Sequence, residues 1–215
     1  MSTPEVAVID YGMGNLLSVR RGLTHCGAIV EVTAKPDAIL AAPLVVLPGV
    51  GAFGNGMAEL RRLGLDEVVR KVAAQGTPLL GICLGMQMLL DESEEFSRTA
   101  GLGIIPGRVV PVPETTADGR SQKIPHVGWN AVVLAPGRES WDNTPLQEVA
   151  SGEAAYFVHS FMASPTDPDH RLAVCYYGGI PVTAVIGRDN VFGCQFHPEK
   201  SGDVGLKVLR KFLTL

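Results

Sequence analysis

TPLLGICLGMQMLL, residues 77–90, joins a short apolar run to a segment of helical character through a cysteine flanked by glycines. Leu79–Ile82 has the length and apolar content of a buried strand, and the helical reading runs from Leu84 to Phe96. A strand that passes straight into a helix is half of a β-α-β unit. The same alternation recurs upstream: VAVID (Val6–Asp10) reads as a strand and Asn15–Gly27 as a helix, with Asn15 suited to cap its start and Gly27 its end. IVEVT (29–33) and LVVL (44–47) follow as strands, and 54–75 is mostly helical. Right-handed crossovers then predict an α/β fold with a mainly parallel central sheet and helices on both faces.

Beyond Gly103 the pattern changes. GRVVPV (107–112), GWNAVVL (128–134), AAYFVHSF (154–161), LAVCYY (172–177), VTAVIG (182–187) and VFGCQF (191–196) read as strands with short connections. Gly187–Asn190 has the composition of a hairpin turn, so extra antiparallel strands are expected in this half. DVGLKVLRKFLTL closes the chain as an amphipathic helix. The polar stretch Pro111–Ser121 reads as a surface excursion within one domain spanning 1–215.

Composition narrows the function. Of 215 residues, 46% are hydrophobic and 19% charged, the range of a soluble α/β domain. A formal charge of −4 offers no basic face for nucleic acid. No apolar run reaches the roughly 20 residues that span a bilayer, and the first residues lack a signal-peptide pattern, so the cytoplasm is the expected compartment. The cysteines at 26, 83, 175 and 194 form no CxxC pair, which argues against disulfides and a thiolate metal site. Each is core filler or a nucleophile.

Gly81-Ile82-Cys83-Leu84-Gly85 is the thiol counterpart of the nucleophile elbow, a sharp strand-to-helix turn that exposes a strained side chain. A helix starting at Leu84 would aim its positive end at the sulfur, and the Leu84 amide could bind an oxyanion. The bland alternative is a buried cysteine in a glycine-flanked turn. A base is available in VFGCQFHPEKS: His197 ends a strand, and a bend at Pro198 would let Glu199 hold the imidazole. His-x-Glu also occurs in zinc deaminases, but their P-C-x-x-C segment is missing. Gly12-Met13-Gly14 resembles a dinucleotide loop whose third glycine position holds Leu17, so no nucleotide cofactor is expected, and no metal either. LPGVGAFG (47–54) is fit for close backbone approach to a small polar ligand. His126 is ambiguous.

IDYGMGNLLSV, LPGVGAFGNGM, GICLGMQMLL, IPHVGWN, YFVHSF and FGCQFHPEKS, in that order, resemble the class I (triad) glutamine amidotransferases along the whole chain, and within them the glutaminase subunits of imidazole glycerol phosphate synthases. The resemblance implies a flavodoxin-like core without a cofactor. It implies Cys83 as nucleophile toward the glutamine amide, His197 as base and then acid, and Glu199 as its orienter. Backbone at Leu84, Val50 and Gly51 would hold the oxyanion. Gln87, Gly49, His159, Ser160 and Phe161 would bind glutamine, Phe161 lacking the hydroxyl usual there. Trp129, Tyr156 and Lys200 would face a cyclase subunit that consumes the ammonia in a heterodimer. Glutaminases serving anthranilate, aminodeoxychorismate or pyridoxal phosphate synthesis share the chemistry but not IDYGMGNL with PHVGWN. A catalytically dead flavodoxin-like module and a cysteine peptidase are the readings from other classes.

Overall fold

The computed structural model describes residues 3–215. In chain order it contains β1 (Glu5–Ile9), α1 (Leu16–His25), β2 (Ile29–Thr33), α2 (Pro36–Ala41), β3 (Val45–Leu47), α3 (Phe53–Arg62), α4 (Leu65–Ala74), β4 (Leu79–Ile82) and α5 (Leu84–Met88). There follow β5 (Glu92–Ser93), β6 (Thr99–Ala100), β7 (Gly107–Pro111), β8 (His126–Ala131), β9 (Val133–Leu134), β10 (Ala154–His159), β11 (Phe161–Pro165), β12 (Arg171–Tyr177), β13 (Ile180–Arg188), β14 (Val191–Cys194) and α6 (Gly202–Phe212).

The main sheet has the order β2-β1-β3-β4-β14-β13-β12-β9. Its first five strands are parallel, and each of the last three runs antiparallel to the strand before it. Parallel strands need cover on both faces, and the period-2 alternation supplies it. Val6, Val8, Val46, Leu80 and Ile82 join the core that holds Val19 and Leu23 of α1 and Val208, Leu209 and Phe212 of α6. Ala7, Ile9, Val45, Leu47 and Leu79 belong to the opposite core, with Phe53, Met57 and Leu60 of α3 and Leu65, Val69 and Val72 of α4. A second sheet runs β11-β7-β5-β6, and β8 and β10 pair as a separate ribbon.

The sheet, its helical layers and the antiparallel extension agree with the sequence reading. Four local differences have identifiable causes. The helix expected over 84–96 stops at Met88. Leu89 and Leu90 donate three residues back, to Met86 and Gln87, and Asp91 N is then taken by the Gly107 carbonyl at 3.0 Å. Pairing with β7 thus wins over the helical propensity of DESEEF. The helix expected over 54–75 is two, broken at Gly64, whose φ of +68° is left-handed. GWNAVVL and AAYFVHSF each divide between two sheets, at Val132 and Ser160. The apolar pattern continues through both breaks and does not reveal them. The β13–β14 turn occupies Asp189–Asn190, closed by Arg188 opposite Val191.

Candidate active site

Strand β4 lies between β3 and β14 in the middle of the sheet. Cys83 follows it directly at φ 54° and ψ −109°, a strained conformation for a residue with a side chain. The surroundings enforce it. A Cβ on Gly81 would come within 2.8 Å of the Gly85 backbone, and one on Gly85 would overlap the Leu47 carbonyl. Two glycines therefore let α5 start hard against β3 and β4 and hold the elbow closed. Because α5 is only five residues long, its dipole is small; the amides of its first turn, which have no intrahelical acceptor, are the local source of positive potential.

Strand β14 runs parallel to β4 with Cys194 opposite Ile82, so the chain beyond it emerges beside Cys83. His197 comes three residues after β14, and a 3₁₀ turn, Pro198–Lys200, folds Glu199 back under the ring. Glu199 Oε1 accepts from His197 Nδ1 at 2.8 Å, the two side chains being 1% and 4% exposed. That bond assigns the Nδ1 proton and leaves Nε2 for the sulfur. Burial alone would lower the imidazole pKa, but its hydrogen bonds and charge pairing with Cys83 and then Glu199 outweigh it, and the value rises to about 9. The cation is thus favoured between Cys83 and Glu199.

These groups open into a cleft of about 340 Å³, lined by Val50, Gly51, Cys83, Leu84, Gln87, His159, Ser160, Phe161 and His197. Gly49 backs the cleft, packed so closely that an added Cβ would meet the Tyr11 hydroxyl at 2.5 Å. Residues separated by more than a hundred positions in the chain are brought together; of those singled out in the sequence, Gly49, Glu199, Trp129, Tyr156 and Lys200 stand outside the lining. Among the described residues, no group of three or more His, Cys, Asp or Glu is arranged to hold a metal ion. No helix among them is long and apolar enough to cross a membrane.

The family model described as glutamine amidotransferase class-I matches residues 7–214. The chain belongs to the class I glutamine amidotransferases. Among the similar proteins, the imidazole glycerol phosphate synthase subunit HisH 1 of Legionella pneumophila (strain Lens) is 49% identical over 98% of this chain and 99% of its own length. The HisH subunit of Methylococcus capsulatus is also 49% identical, over 97% and 95%. Solved structures share the fold at lower identity. A crystal structure of glutamine amidotransferase gives a TM-score of 0.71 at 18% identity, covering 98% of this chain and 99% of that one. PurLQS from Thermotoga maritima gives 0.69 at 20%, covering 99% of each.

In this amidotransferase several cleft residues escaped the sequence reading. Glu95 also lines the cleft, while its Oε2 accepts from the Phe53 amide at the start of α3, 2.6 Å away. Tyr11 is buried and donates from its hydroxyl to the Pro48 carbonyl at 2.9 Å, tethering the Gly49–Gly51 loop. Burial, then the charge of Cys83, push its phenol well above the ordinary range. Gln195 is fully buried beside the sulfur. A glutamine in an apolar strand gave no signal except its proximity to H-P-E.

His126 resolves as part of the same wall. Its Nδ1 is 3.0 Å from His159 Nε2, and His159 Nδ1 is 2.9 Å from the Phe161 carbonyl. Since that carbonyl only accepts, His159 carries its proton on Nδ1, and His126 donates to His159. Burial is the first cause that lowers both rings to about 4, so the pair is neutral. Burial also raises the other well-buried thiols, Cys175 to about 12 and Cys194 likewise upward, consistent with core filler. Trp129 and Tyr156 sit opposite each other in the β8–β10 ribbon, ring centroids 6.1 Å apart. Trp129 is 59% exposed, Val127 beside it 53%, and Lys200 is exposed nearby in sequence to His197. A ribbon whose inner face is His126, Phe157 and His159 thus turns an apolar outer face to solvent.

Proposed function

We propose that this chain is the glutaminase subunit of an imidazole glycerol phosphate synthase, a single amidotransferase unit that works in the cytoplasm as a heterodimer with a cyclase subunit. The observation that carries the reading is the buried imidazole held between Cys83 and Glu199 at the rim of a glutamine-sized cleft. Cys83 attacks the γ-amide carbon as a thiolate. His197 protonates the leaving ammonia from Nε2, then removes a proton from the water that hydrolyses the thioester to glutamate. Glu199 stabilises the cation between these steps. The first amide of α5, at Leu84, and backbone in the Val50–Gly51 loop receive the oxyanion; one such donor is typically worth about 3–4 kcal/mol. Gln87, Gly49 and the His159–Phe161 segment hold the amino-acid end, and Glu95 supplies a countercharge for its ammonium.

Ammonia released into bulk water would be protonated and lost as a nucleophile, so it passes to the docked synthase. There it is combined with a phosphoribulosyl nucleotide intermediate, giving imidazole glycerol phosphate and an aminoimidazole carboxamide nucleotide. The exposed Trp129–Tyr156 face and Lys200 support a docking surface beside the base. The deciding experiment is purification with a candidate cyclase followed by a coupled assay. Glutamate release matched by nucleotide product supports the reading; glutamate release with no product from the cyclase would assign the subunit to another amidotransferase.

A further inference from the structure

Cys83 has a third polar neighbour besides His197 and the α5 amides. Gln195 Nε2 lies 3.7 Å from the sulfur, on a side chain that is fully buried. Which end of that amide faces the sulfur is dictated by its partners. Gln87 Nε2 contacts two acceptors, the Phe161 carbonyl at 3.0 Å and Gln195 Oε1 at 3.0 Å. A carbonyl cannot donate, so Gln87 must present its NH₂ there, and its second N–H then requires the oxygen of Gln195. Gln195 is left with only its NH₂ to turn toward Cys83. The Phe161 carbonyl is held in turn by the His159 Nδ1–H. The orientation is therefore over-determined by groups outside the elbow.

We propose that Gln195 is a catalytic residue that donates an N–H to the sulfur, favouring the charge on it before attack and on its departure from the thioester, with Gln87 as its positioning residue. The proposal rests on the glutaminase reading for its reaction, but the donor itself can be tested without glutamine. Direction matters. A reversed amide would set an oxygen against a developing thiolate and oppose it.

The test measures carbamidomethylation of Cys83 by iodoacetamide as a function of pH, read by peptide mass spectrometry so that Cys26 does not interfere. Gln195→Leu removes the donor; Gln195→Glu keeps the shape and replaces the donor with an oxygen. Loss of one donor to a charged acceptor predicts alkylation of Gln195→Leu about tenfold slower below the midpoint, which moves up by about one unit, and a larger effect for Gln195→Glu. Gln87→Met should move the midpoint the same way by less. Melting curves run alongside. A normal alkylation profile in Gln195→Glu, folded, would overturn the proposal and make Gln195 a buried structural amide. If Gln195→Leu does not fold, the Gln195→Glu and Gln87→Met profiles decide alone. Failure of the glutaminase reading would show separately, as no ammonia release by the unaltered chain with its partner.

Discussion

Replacing Glu199 by Gln tests the proposed triad at its most quantitative point. His197 rises from its ordinary 6.5 to about 9 despite burial that acts the other way. That difference corresponds to about 3 kcal/mol favouring the imidazolium, supplied by Cys83 and Glu199 together. Glutamine at 199 keeps the 2.8 Å hydrogen bond, with its carbonyl accepting from Nδ1, but removes the charge. Assigning roughly half of the preference to Glu199 gives a loss of about 1.5 kcal/mol, or roughly 10-fold in kcat with KM little changed. If the amide turns its NH₂ to Nδ1 instead, the wrong tautomer is imposed and the loss approaches the roughly 10⁴-fold seen for the equivalent change in a serine triad. Glutamate release in the presence of the cyclase gives kcat. NMR titration of the imidazoles should show the His197 midpoint falling by a unit or more. Full activity with an unmoved titration would refute the argument and leave Glu199 as a structural ion-pair partner.

Three further outcomes follow from the geometry. Gly85→Ala pushes a methyl group into the Leu47 carbonyl, so it should destabilise by about 3 kcal/mol or more and lower the melting temperature by about 6–12 °C; an unchanged melt would contradict the packing described. Stability against pH should peak near 6.5: the neutral His126–His159 pair, lowered to about 4, loses its contribution as pH falls from 6.5 toward 4, and His197, raised to about 9, loses its own as pH rises from 6.5 through 9. Chemical denaturation at stepped pH checks both limbs, and His126→Phe should flatten the acid limb alone. Trp129→Ala should weaken cyclase binding by at least about 2 kcal/mol in calorimetry with little change in melting temperature, because the ring is exposed; a large melting loss with normal affinity would make it a core residue.

Sequence was most informative where local chemistry is dense. The glycines around Cys83 predict an elbow because only a turn that brings backbones into contact needs them, and Gly81 and Gly85 meet backbone as expected. The parallel half was legible because strands covered on both faces are short, apolar and separated by helical stretches. What stayed hidden depends on partners distant in sequence. Nothing in LGMQMLLDESEEF announces that Asp91 will pair with Gly107, and nothing in AAYFVHSF announces the change of sheet at Ser160. That break is functional in position: it turns the Phe161 carbonyl back toward Gln87 and His159. Gln195 and His126 were hard to see for the same reason, since a buried polar residue acquires meaning only from the acceptor it meets.

The proposed interface and the base are joined by hydrogen bonds, which sets how docking can act on chemistry. His197 N donates to the Tyr156 carbonyl at 3.0 Å, and Tyr156 N donates to Ser201 Oγ at 2.9 Å. Ser201 Oγ in turn donates to the His197 carbonyl at 2.7 Å. The H-P-E segment is therefore bound on both sides of His197 to the strand that carries Tyr156, and Tyr156 packs edge-on against Trp129. If a partner pressing on those rings shifted the backbone of β10, His197 would follow, because its own peptide groups are tied to that strand. The same strand ends in His159, whose ring fixes the Phe161 carbonyl. The proposed docking face is thus joined to both the proposed base and the cleft through backbone contacts. Ser201→Ala isolates this link: it removes two of the three bonds without touching the cleft or the docking face. The expected result is cyclase affinity close to normal but a smaller stimulation of glutamine hydrolysis on binding, read as the ratio of kcat with and without the cyclase. An undiminished ratio in a stably folded variant would place the coupling elsewhere.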